Sequence, residues 1–513
     1  MAIGVVNMDY KERAIKGISW NFLLLILAAP IGYLVRMLYA NEIPKLEVGL
    51  FYAVLDFCCM VAIFKDLGLS AALVRFIPKF IHEKRNDLVK SAIVSVGILQ
   101  SSVSLLITIG IILLSPLIAK YYINNQGQFI GHLDLVINVL IILSIGYWFQ
   151  SIMDVIRNAI QGFQNQKYFG TSNFVKISLV LISSVIFIYI LDIHNVFAPS
   201  YAYTITPILM ILIYASIFIK KIFPEFFKGR FIFSKKLIKD LFSYGLPVMM
   251  GSAGSLILGY VDGICLTYFT GLNAVADYRN VAMPTVSILG YFASAVGAVL
   301  FPMSSELWEK GHKEALRYGV ERICLYSFVL VLPMAILMAY FPTVVVNLLF
   351  NAQYLPAADA IRILSLGTVF MTLNGIGFTV LNGIGKPSLS TKILYFGATF
   401  NLIFNLLLIP KFGIIGASIT TVLGYFIMWI FQMKYLSKFL EHKFLNKNWI
   451  LIIFIGIFSL IPIIFIKDLI NNMFLELAVC GIVYFGIYML GIFGLKIINI
   501  NEINDIIGKI IKR

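Results

Sequence analysis

Residues 91–118 read SAIVSVGILQSSVSLLITIGIILLSPLI, a run without a single charged side chain. About 20 apolar residues cross the hydrocarbon core of a bilayer as a helix. In lipid only helices and closed barrels satisfy their backbone hydrogen-bonding groups. The run is continuously apolar rather than alternating, so it predicts a membrane-spanning helix and not a barrel strand.

Similar stretches fill almost the whole chain of 513 residues. Hydrophobic residues make up 60% of it, charged residues only 13%, and the mean hydropathy is +0.92. Because a soluble protein keeps far more charge on its surface, we predict an all-α polytopic membrane protein with about 14 transmembrane helices. The predicted spans are Trp20–Tyr39, Gly49–Phe64, Ser91–Ile118, Leu135–Met153, Ser172–Leu191, Pro199–Ile219, Leu246–Thr270, Tyr278–Phe301, Ile323–Leu349, Ala358–Leu381, Leu389–Ile409, Ile414–Gln432, Trp449–Ile466 and Met473–Leu495.

The second predicted span ends in an irregular segment. Residues 65–70 read KDLGLS and are followed by a short apolar segment that ends at Ile81. A glycine next to a charged pair is a poor continuation of a helix that faces lipid. We therefore expect a break or a re-entrant bend at this point.

Lysine and arginine lie mostly in alternate connections between the spans. If the amino terminus is cytoplasmic, the outer connections hold only Lys45, Lys120, Lys411 and Lys467 of the 40 basic residues that the chain contains. The positive-inside rule then places both termini in the cytoplasm and the protein in the cell (plasma or inner) membrane. The net charge of +15 is dispersed over short loops, so we expect membrane lipids and lipid phosphates as partners, and no nucleic acid.

The chain shows an internal repeat. Similar turn patterns, Ile160–Lys167 and Leu381–Pro387, lie about 220 residues apart, as in transporters built from two parallel repeats. The predicted parts are an N-lobe 1–219 with spans one to six, a basic cytoplasmic linker 220–244, a C-lobe 245–435 with spans seven to twelve, and residues 436–513 with two further spans and a basic cytoplasmic tail.

Four short segments carry a resemblance to a known family. They are Lys65–Ser70, the Gly-Phe-Gln-Asn-Gln-Lys turn at Gly162–Lys167, Thr270–Tyr278, and Ile409–Ala417 with its Pro-x-aromatic-Gly-x-x-Gly-Ala pattern. Together with the number and orientation of the spans, they resemble the multidrug/oligosaccharidyl-lipid/polysaccharide (MOP) exporter superfamily, in particular its polysaccharide transporter (O-antigen flippase) branch. The resemblance covers the whole chain.

The resemblance implies a fold and a function. The fold has two lobes around a cleft, and transport proceeds by alternating access. The implied substrate is a lipid-linked oligosaccharide, and the implied partners are a glycan polymerase or glycosyltransferases.

Ionisable side chains inside spans are costly unless they are paired or hydrated, so they mark candidate functional residues. Arg36 and Asp56 flank the first outer loop at similar depth, and Asp262 and Arg279 repeat this arrangement with the signs exchanged. Either each hairpin holds one salt bridge, or Arg36 meets Asp262 as an outer gate, since the family fold implies that the first and seventh helices face each other. Arg36 and Arg279 are also candidates for substrate binding, and Asp56, Asp66 and Asp262 for gating or coupling.

Closer to the cytoplasm, Lys176 and Lys392 lie at comparable points of the repeat. Both are candidates to bind a pyrophosphate, because a buried ammonium group can accompany a phosphate without losing its charge. The alternative is that each lysine extends to nearby lipid headgroups, which the long stem allows. Lys65 and Arg75, around the predicted bend, are weaker candidates for the same site.

Two other groups of residues have structural interpretations. Asp359 and Arg362 are three residues apart on one helical face, so we expect them to pair. The five cysteines all fall inside predicted spans, where small apolar packing residues are more common than disulfides or metal ligands.

Motifs for catalysis are missing from the sequence. Gly385-Lys386 has Val380 where a phosphate-binding loop needs its first glycine, and no Asp-x-Asp pair stands in a sizeable loop. We therefore expect a transporter rather than an enzyme, with no catalytic residue, metal site or cofactor. Coupling to H⁺ or Na⁺ is left open.

The best functional hypothesis is a flippase that moves a polyprenyl-diphosphate glycan from the cytoplasmic to the outer leaflet. The alternatives are a cation-coupled multidrug exporter of the same superfamily, a lipid II flippase, and a scaffold for glycan-assembly enzymes. The multidrug exporters rely on a carboxylate in the first helix. Here that helix carries Arg36 and no acid, which favours an anionic substrate.

Overall fold

The computed structural model describes residues 24, 27–129, 131–442, 444 and 447–498, and only the backbone of residues 291–295, 298 and 299. The regular secondary structure within these residues is helical, which confirms the prediction of an all-α protein. The start of the first predicted span and both predicted cytoplasmic termini lie outside the described residues.

Within the described residues, eleven helices are long and apolar enough to cross a membrane. One of them, Pro387–Phe439, covers both the eleventh and the twelfth predicted spans. The first predicted span continues into a helix at 27–42, and the eighth corresponds to Met283–Glu309. The total of about 14 spans stays a prediction.

The chain divides into two compact units. Unit 1 comprises residues 1–281 and 402–417, and unit 2 comprises residues 282–401 and 418–513. This division does not test the predicted boundaries of the N-lobe, linker and C-lobe, which stay a prediction. The helices of unit 1 are α1 (27–42), α2 (Lys45–Val61), α3 (Ile63–Asp66), α4 (Leu69–His82), α5 (Asn86–Ile118), α6 (Leu133–Gly162), α7 (Gln166–Val185), α8 (Phe197–Ile217), α9 (Lys235–Phe269) and α10 (Leu272–Val275).

The predicted break after the second span is confirmed. Helix α3 ends at Asp66, and Leu67 and Gly68 both adopt left-handed backbone conformations, with φ of 48° and 70°. The backbone of Gly68 packs directly on the carbonyl group of Gly245 in α9, so that a Cβ atom at position 68 would overlap it. The break therefore redirects the chain into α4 and at the same time sets the contact between α4 and α9.

Helix α4 lies at the centre of the apolar packing in this part of unit 1. Leu69, Leu73 and Ile77 are fully buried, in a cluster with apolar side chains of α5, α6 and α9. In lipid the hydrophobic effect adds little to helix association, so close van der Waals packing has to hold these helices together. The short α4 is thus a fixed part of the scaffold around the residues that follow the break.

The remaining helices belong to unit 2, except that residues 402–417 of Pro387–Phe439 belong to unit 1 and contain a sharp reversal. Gly413 has φ 54° and ψ −129°, which breaks Pro387–Phe439 and confirms the predicted turn between the eleventh and twelfth spans. Gly416 then packs against the carbonyl group of Leu408, as an antiparallel hairpin requires. The helices are α11 (Met283–Glu309), α12 (Lys313–Tyr340), α13 (Pro342–Leu349), α14 (Ala357–Gly383), α15 (Pro387–Phe439), α16 (Lys447–Phe458), α17 (Ile461–Ile466) and α18 (Met473–Gly494).

Candidate functional site

The first charged group of unit 1 centres on an ion pair between Asp56 and Arg279. Arg279 Nη2 lies 2.5 Å from Asp56 Oδ1, and the Asp56 side chain is fully buried. Gly263 leaves the space that the carboxylate fills, because a Cβ atom there would overlap Asp56 Oδ2. The guanidinium group also donates to the carbonyl oxygen of Gly259 at 3.1 Å. This pair joins α2 to the segment that starts the eighth predicted span.

Arg36 has different partners from those that the sequence suggested. Its Nη1 donates to the carbonyl oxygen of Arg279 at 2.7 Å and to the Tyr52 hydroxyl at 3.1 Å. The partner of Asp56 is therefore Arg279 and not Arg36. A π-helical segment, Ala276–Ala282, surrounds Arg279 and changes the number of residues per turn. The side-chain directions expected from regular helical spacing therefore do not hold there.

Asp262 is buried and accepts two hydrogen bonds. Tyr278 donates its hydroxyl at 2.8 Å, and Asn405 Nδ2 donates at 2.6 Å. Asn280 links the network further, because it accepts from the Tyr52 hydroxyl at 3.0 Å and donates to the Arg36 carbonyl oxygen at 3.2 Å. Arg36, Asp56, Asp262 and Arg279, with Tyr52, Tyr278, Asn280 and Asn405, are called the charged network below.

Sequence reasoning missed the uncharged members of the charged network. Asn280 and Asn405 are fully buried, and a buried amide has to be hydrogen-bonded. An asparagine inside an apolar span is thus a usable signal. It does not by itself name the partner, because the two asparagines lie in segments far apart in sequence.

The second charged group lies near the predicted cytoplasmic ends of the helices. Lys65 Nζ lies 3.0 Å from Asp154 Oδ2 and 4.4 Å from the centre of the Tyr147 ring. Gln150 donates to the other carboxylate oxygen of Asp154 at 2.7 Å. Asn158 donates to the Asp154 carbonyl oxygen, also at 2.7 Å. The acid is therefore held in position from α6 itself, while the lysine comes from α3.

Two more cations complete this group. Lys176 in α7 makes no hydrogen bond or ion pair with any residue that the structure describes, although it is in electrostatic range of Asp154, Lys65 and Arg157. The Arg157 guanidinium stacks on Phe169 at 4.7 Å, and its buried Nε has no partner in the described part of the chain. Lys65, Asp154, Arg157 and Lys176 are called the lysine cluster below.

A cavity of about 610 Å³ lies beside the lysine cluster. Asn158 and Gln161 line it from α6, one to two turns beyond Asp154. Arg75, an exposed residue of α4, also lines it, with its guanidinium 4.3 Å from the Tyr244 ring. Asp66 reaches the cavity too, and its Oδ1 accepts a hydrogen bond from the Ser70 amide at 3.1 Å. Of the candidate residues, Lys65, Arg75, Asp66 and Lys176 thus lie in or near one region of unit 1.

The other candidate residues from the sequence, Lys392, Asp359 and Arg362, lie in unit 2. Lys392 is exposed on α15, a position from which a lysine can extend to lipid headgroups. Arg362 and Asp359 form the expected pair on the surface of α14, at 3.1 Å, which confirms that prediction. A substrate contact by Lys392 stays a prediction.

Comparison with known proteins identifies the family. Residues 14–308, more than half of the chain, match the family described as polysaccharide biosynthesis protein. The chain belongs to this family. Residues 247–407 also match the MatE family. The chain is therefore a member of the MOP superfamily, as the sequence indicated.

Individual relatives agree with this assignment. An uncharacterized membrane protein of Methanocaldococcus jannaschii is 65% identical over 99% of this chain and 100% of its own length. The probable low-salt glycan biosynthesis flippase Agl15 of Haloferax volcanii is 25% identical over 41% of this chain and 44% of its own. The structure of the lipid II flippase MurJ in an inward closed conformation has a TM-score of 0.74 at 16% identity, over 91% of this chain and 97% of that one. The fold is therefore MurJ-like, and the protein is a multi-pass membrane transporter.

Proposed function

We propose that the protein is a flippase for a lipid-linked oligosaccharide, a polyprenyl-diphosphate glycan that it moves from the cytoplasmic to the outer leaflet by alternating access. The observation that supports this most directly is the lysine cluster beside an open cavity. Lys65, Arg157 and Lys176 stand against the single acid Asp154 in a membrane-embedded region. Cations at such a depth are retained where an anion joins them.

A phosphate group fits this requirement better than an apolar cation does. Its oxygens accept charge-assisted hydrogen bonds from lysine and arginine, and Asn158 and Gln161 supply amides in the cavity for the attached sugar. Arg75 is the first cation that a head group would meet there, and Lys392 remains a candidate for a later contact. Membrane lipids surround the transporter, and a glycan polymerase or glycosyltransferases are the proposed protein partners.

The charged network is the proposed outer gate. Opening the predicted outer side would separate α2 from the start of the eighth span, and the pair between Asp56 and Arg279 opposes that. Arg36 and Arg279 would become available to the substrate phosphates once this network opens. Asp66 and Asp262 are the other proposed gating or coupling residues, with H⁺ or Na⁺ as the coupling ion.

A cation-coupled multidrug exporter is the second candidate, and a lipid II flippase the third. A multidrug exporter is favoured by the match of residues 247–407 to the MatE family, but the surplus of cations in the lysine cluster would repel its cargo. In every case we propose a cell-membrane protein with both termini in the cytoplasm.

Charge reversal of Lys176 tests the proposal. We expect Lys176→Glu to lower glycan flipping by about tenfold or more, because a carboxylate at this half-buried position would repel the substrate phosphates. The measurement is the transfer of a fluorescent polyprenyl-diphosphate glycan across proteoliposome membranes, with the amount of folded, inserted protein checked by gel filtration.

Arg362→Glu is the matched control, since Arg362 is exposed and lies outside the proposed site. It should leave flipping near the wild-type rate. Undiminished flipping by Lys176→Glu would overturn the proposal. It would favour a scaffold, for which neither change matters.

A further inference from the structure

Asp154 is the acid that faces Lys65, and the two side chains differ in how far they are exposed. The Lys65 side chain is 9% exposed, whereas that of Asp154 is 26% exposed. Asp154 is therefore the more exposed partner of the pair, and Asn158, one turn further along α6, lines the cavity. The more exposed carboxylate thus has more room to turn away from the pair than the nearly buried lysine has to follow it.

A hydrogen bond from Gln150 also fixes the position of the carboxylate. Gln150 binds Oδ1 at 2.7 Å, which leaves Oδ2 to meet Lys65 at 3.0 Å. An incoming phosphate oxygen would have to take the place of Oδ2 at the lysine ammonium. The acid and the substrate thus compete for the same cation.

We propose that Asp154 is a resident counter-ion, which pairs with Lys65 until the diphosphate of the substrate displaces it. This inference rests on the proposed flippase function and names the substrate group that the lysine cluster recognises. The three cations of the cluster exceed its one acid by two charges, whichever way the acid is turned, and two charges match a diphosphate diester rather than a monophosphate diester. Asp66 and Arg75, at the adjoining cavity, carry opposite charges and leave this balance unchanged.

A counter-ion of this kind serves transport in two ways. In the empty protein it compensates a buried ammonium group, which would otherwise be costly in the membrane. In the loaded protein it competes with the substrate and so favours release. Asp154 is therefore a positioning residue that sets affinity and turnover in opposite directions.

Binding of inorganic pyrophosphate to the purified full-length chain in detergent tests this at constant ionic strength. We expect Asp154→Asn to bind pyrophosphate about tenfold more tightly than the wild type, because the competing charge is gone. Both proteins should prefer pyrophosphate to inorganic phosphate. Asp154→Glu should return the affinity toward the wild-type value, and Asp359→Asn, an exposed acid of unit 2, should not change it.

A second variant protects the test against misfolding of Asp154→Asn. Gln150→Leu keeps the acid but removes the group that holds it, so pyrophosphate affinity should rise by a smaller factor, about threefold. The inference would be overturned if folded Asp154→Asn and Gln150→Leu bound pyrophosphate no more tightly than the wild type. It would also be overturned if pyrophosphate were not preferred to phosphate.

The transport assay gives an independent readout. Asp154→Asn should lower both the substrate concentration for half-maximal flipping and the maximal rate, because release becomes slower. A variant that only damages the structure would lower the rate without tightening binding. The wild type could flip the glycan while Asp154→Asn shows no gain in pyrophosphate affinity. That result would refute the role of Asp154 but not the proposed function.

The source of the diphosphate is distinguished by competition. A short polyprenyl-diphosphate sugar in the same detergent micelles should displace pyrophosphate at lower concentration than a soluble nucleoside diphosphate sugar does. Equal or better competition by the soluble compound would count against a lipid-linked substrate.

Discussion

Gly68→Ala will destabilise the protein by more than about 4 kcal/mol, a loss seen only for exceptional substitutions. The left-handed conformation at φ 70° alone costs a residue with a Cβ atom about 1–2 kcal/mol. The larger part comes from overlap with the Gly245 carbonyl group, since neither backbone can rotate away as a side chain would. We expect little folded protein in gel filtration of detergent extracts and a strongly lowered midpoint of thermal unfolding.

Gly385→Ala is the matched control for this prediction. Gly385 has nearly the same backbone conformation, with φ 73°, but no atom lies within 4 Å of the position that a Cβ would take. Only the cost of the left-handed backbone conformation should remain, about 1–2 kcal/mol in the free energy of unfolding. If the two substitutions cost the same, the close approach of α4 and α9 would be wrong.

Arg279→Ala is the second substitution with a large expected effect. It leaves the fully buried Asp56 without its cation, and breaking a buried ion pair from one side costs about 3–5 kcal/mol. Asp56→Ala should also destabilise the protein, because Arg279 loses its charge partner. The double variant should lose clearly less than the sum of the two single losses, as measured by thermal unfolding in detergent.

The exposed pair between Arg362 and Asp359 supplies the comparison for this cycle. Both side chains are more than half exposed, so Arg362→Ala should cost less than about 1 kcal/mol. Additive losses for Asp56 and Arg279 would contradict a direct pair. In transport terms, the coupling energy of the buried pair is an estimate of how strongly the proposed outer gate is held.

Much of the backbone was predictable because its causes are local. Hydropathy over 20 residues decides what can lie in lipid, so the helical class followed from runs such as 91–118. The break at Gly68 and the reversal at Gly413 followed from glycine, which adopts backbone conformations that other residues avoid. The pair of Asp359 and Arg362 followed from the spacing of residues along one helical face.

The partners of the buried charged side chains did not follow from the sequence. Sequence position set the depth of Arg36, Asp56, Asp262 and Arg279, which left either one salt bridge in each hairpin or a contact between Arg36 and Asp262 as the expectation. It did not set the rotation of each helix about its own axis, which depends on packing against neighbouring helices. The π-helical segment around Arg279 altered that rotation further.

The lysine cluster shows the same division. The sequence alone placed Lys176 inside a predicted span and Lys65 at the break after the second one, and it left a substrate phosphate or lipid headgroups as their partners. Only the tertiary structure decided that Asp154 pairs with Lys65, and that Arg157 and the cavity lie beside them. Depth in the membrane is a one-dimensional property that a chain encodes residue by residue, whereas neighbours across helices exist only once the helices have packed.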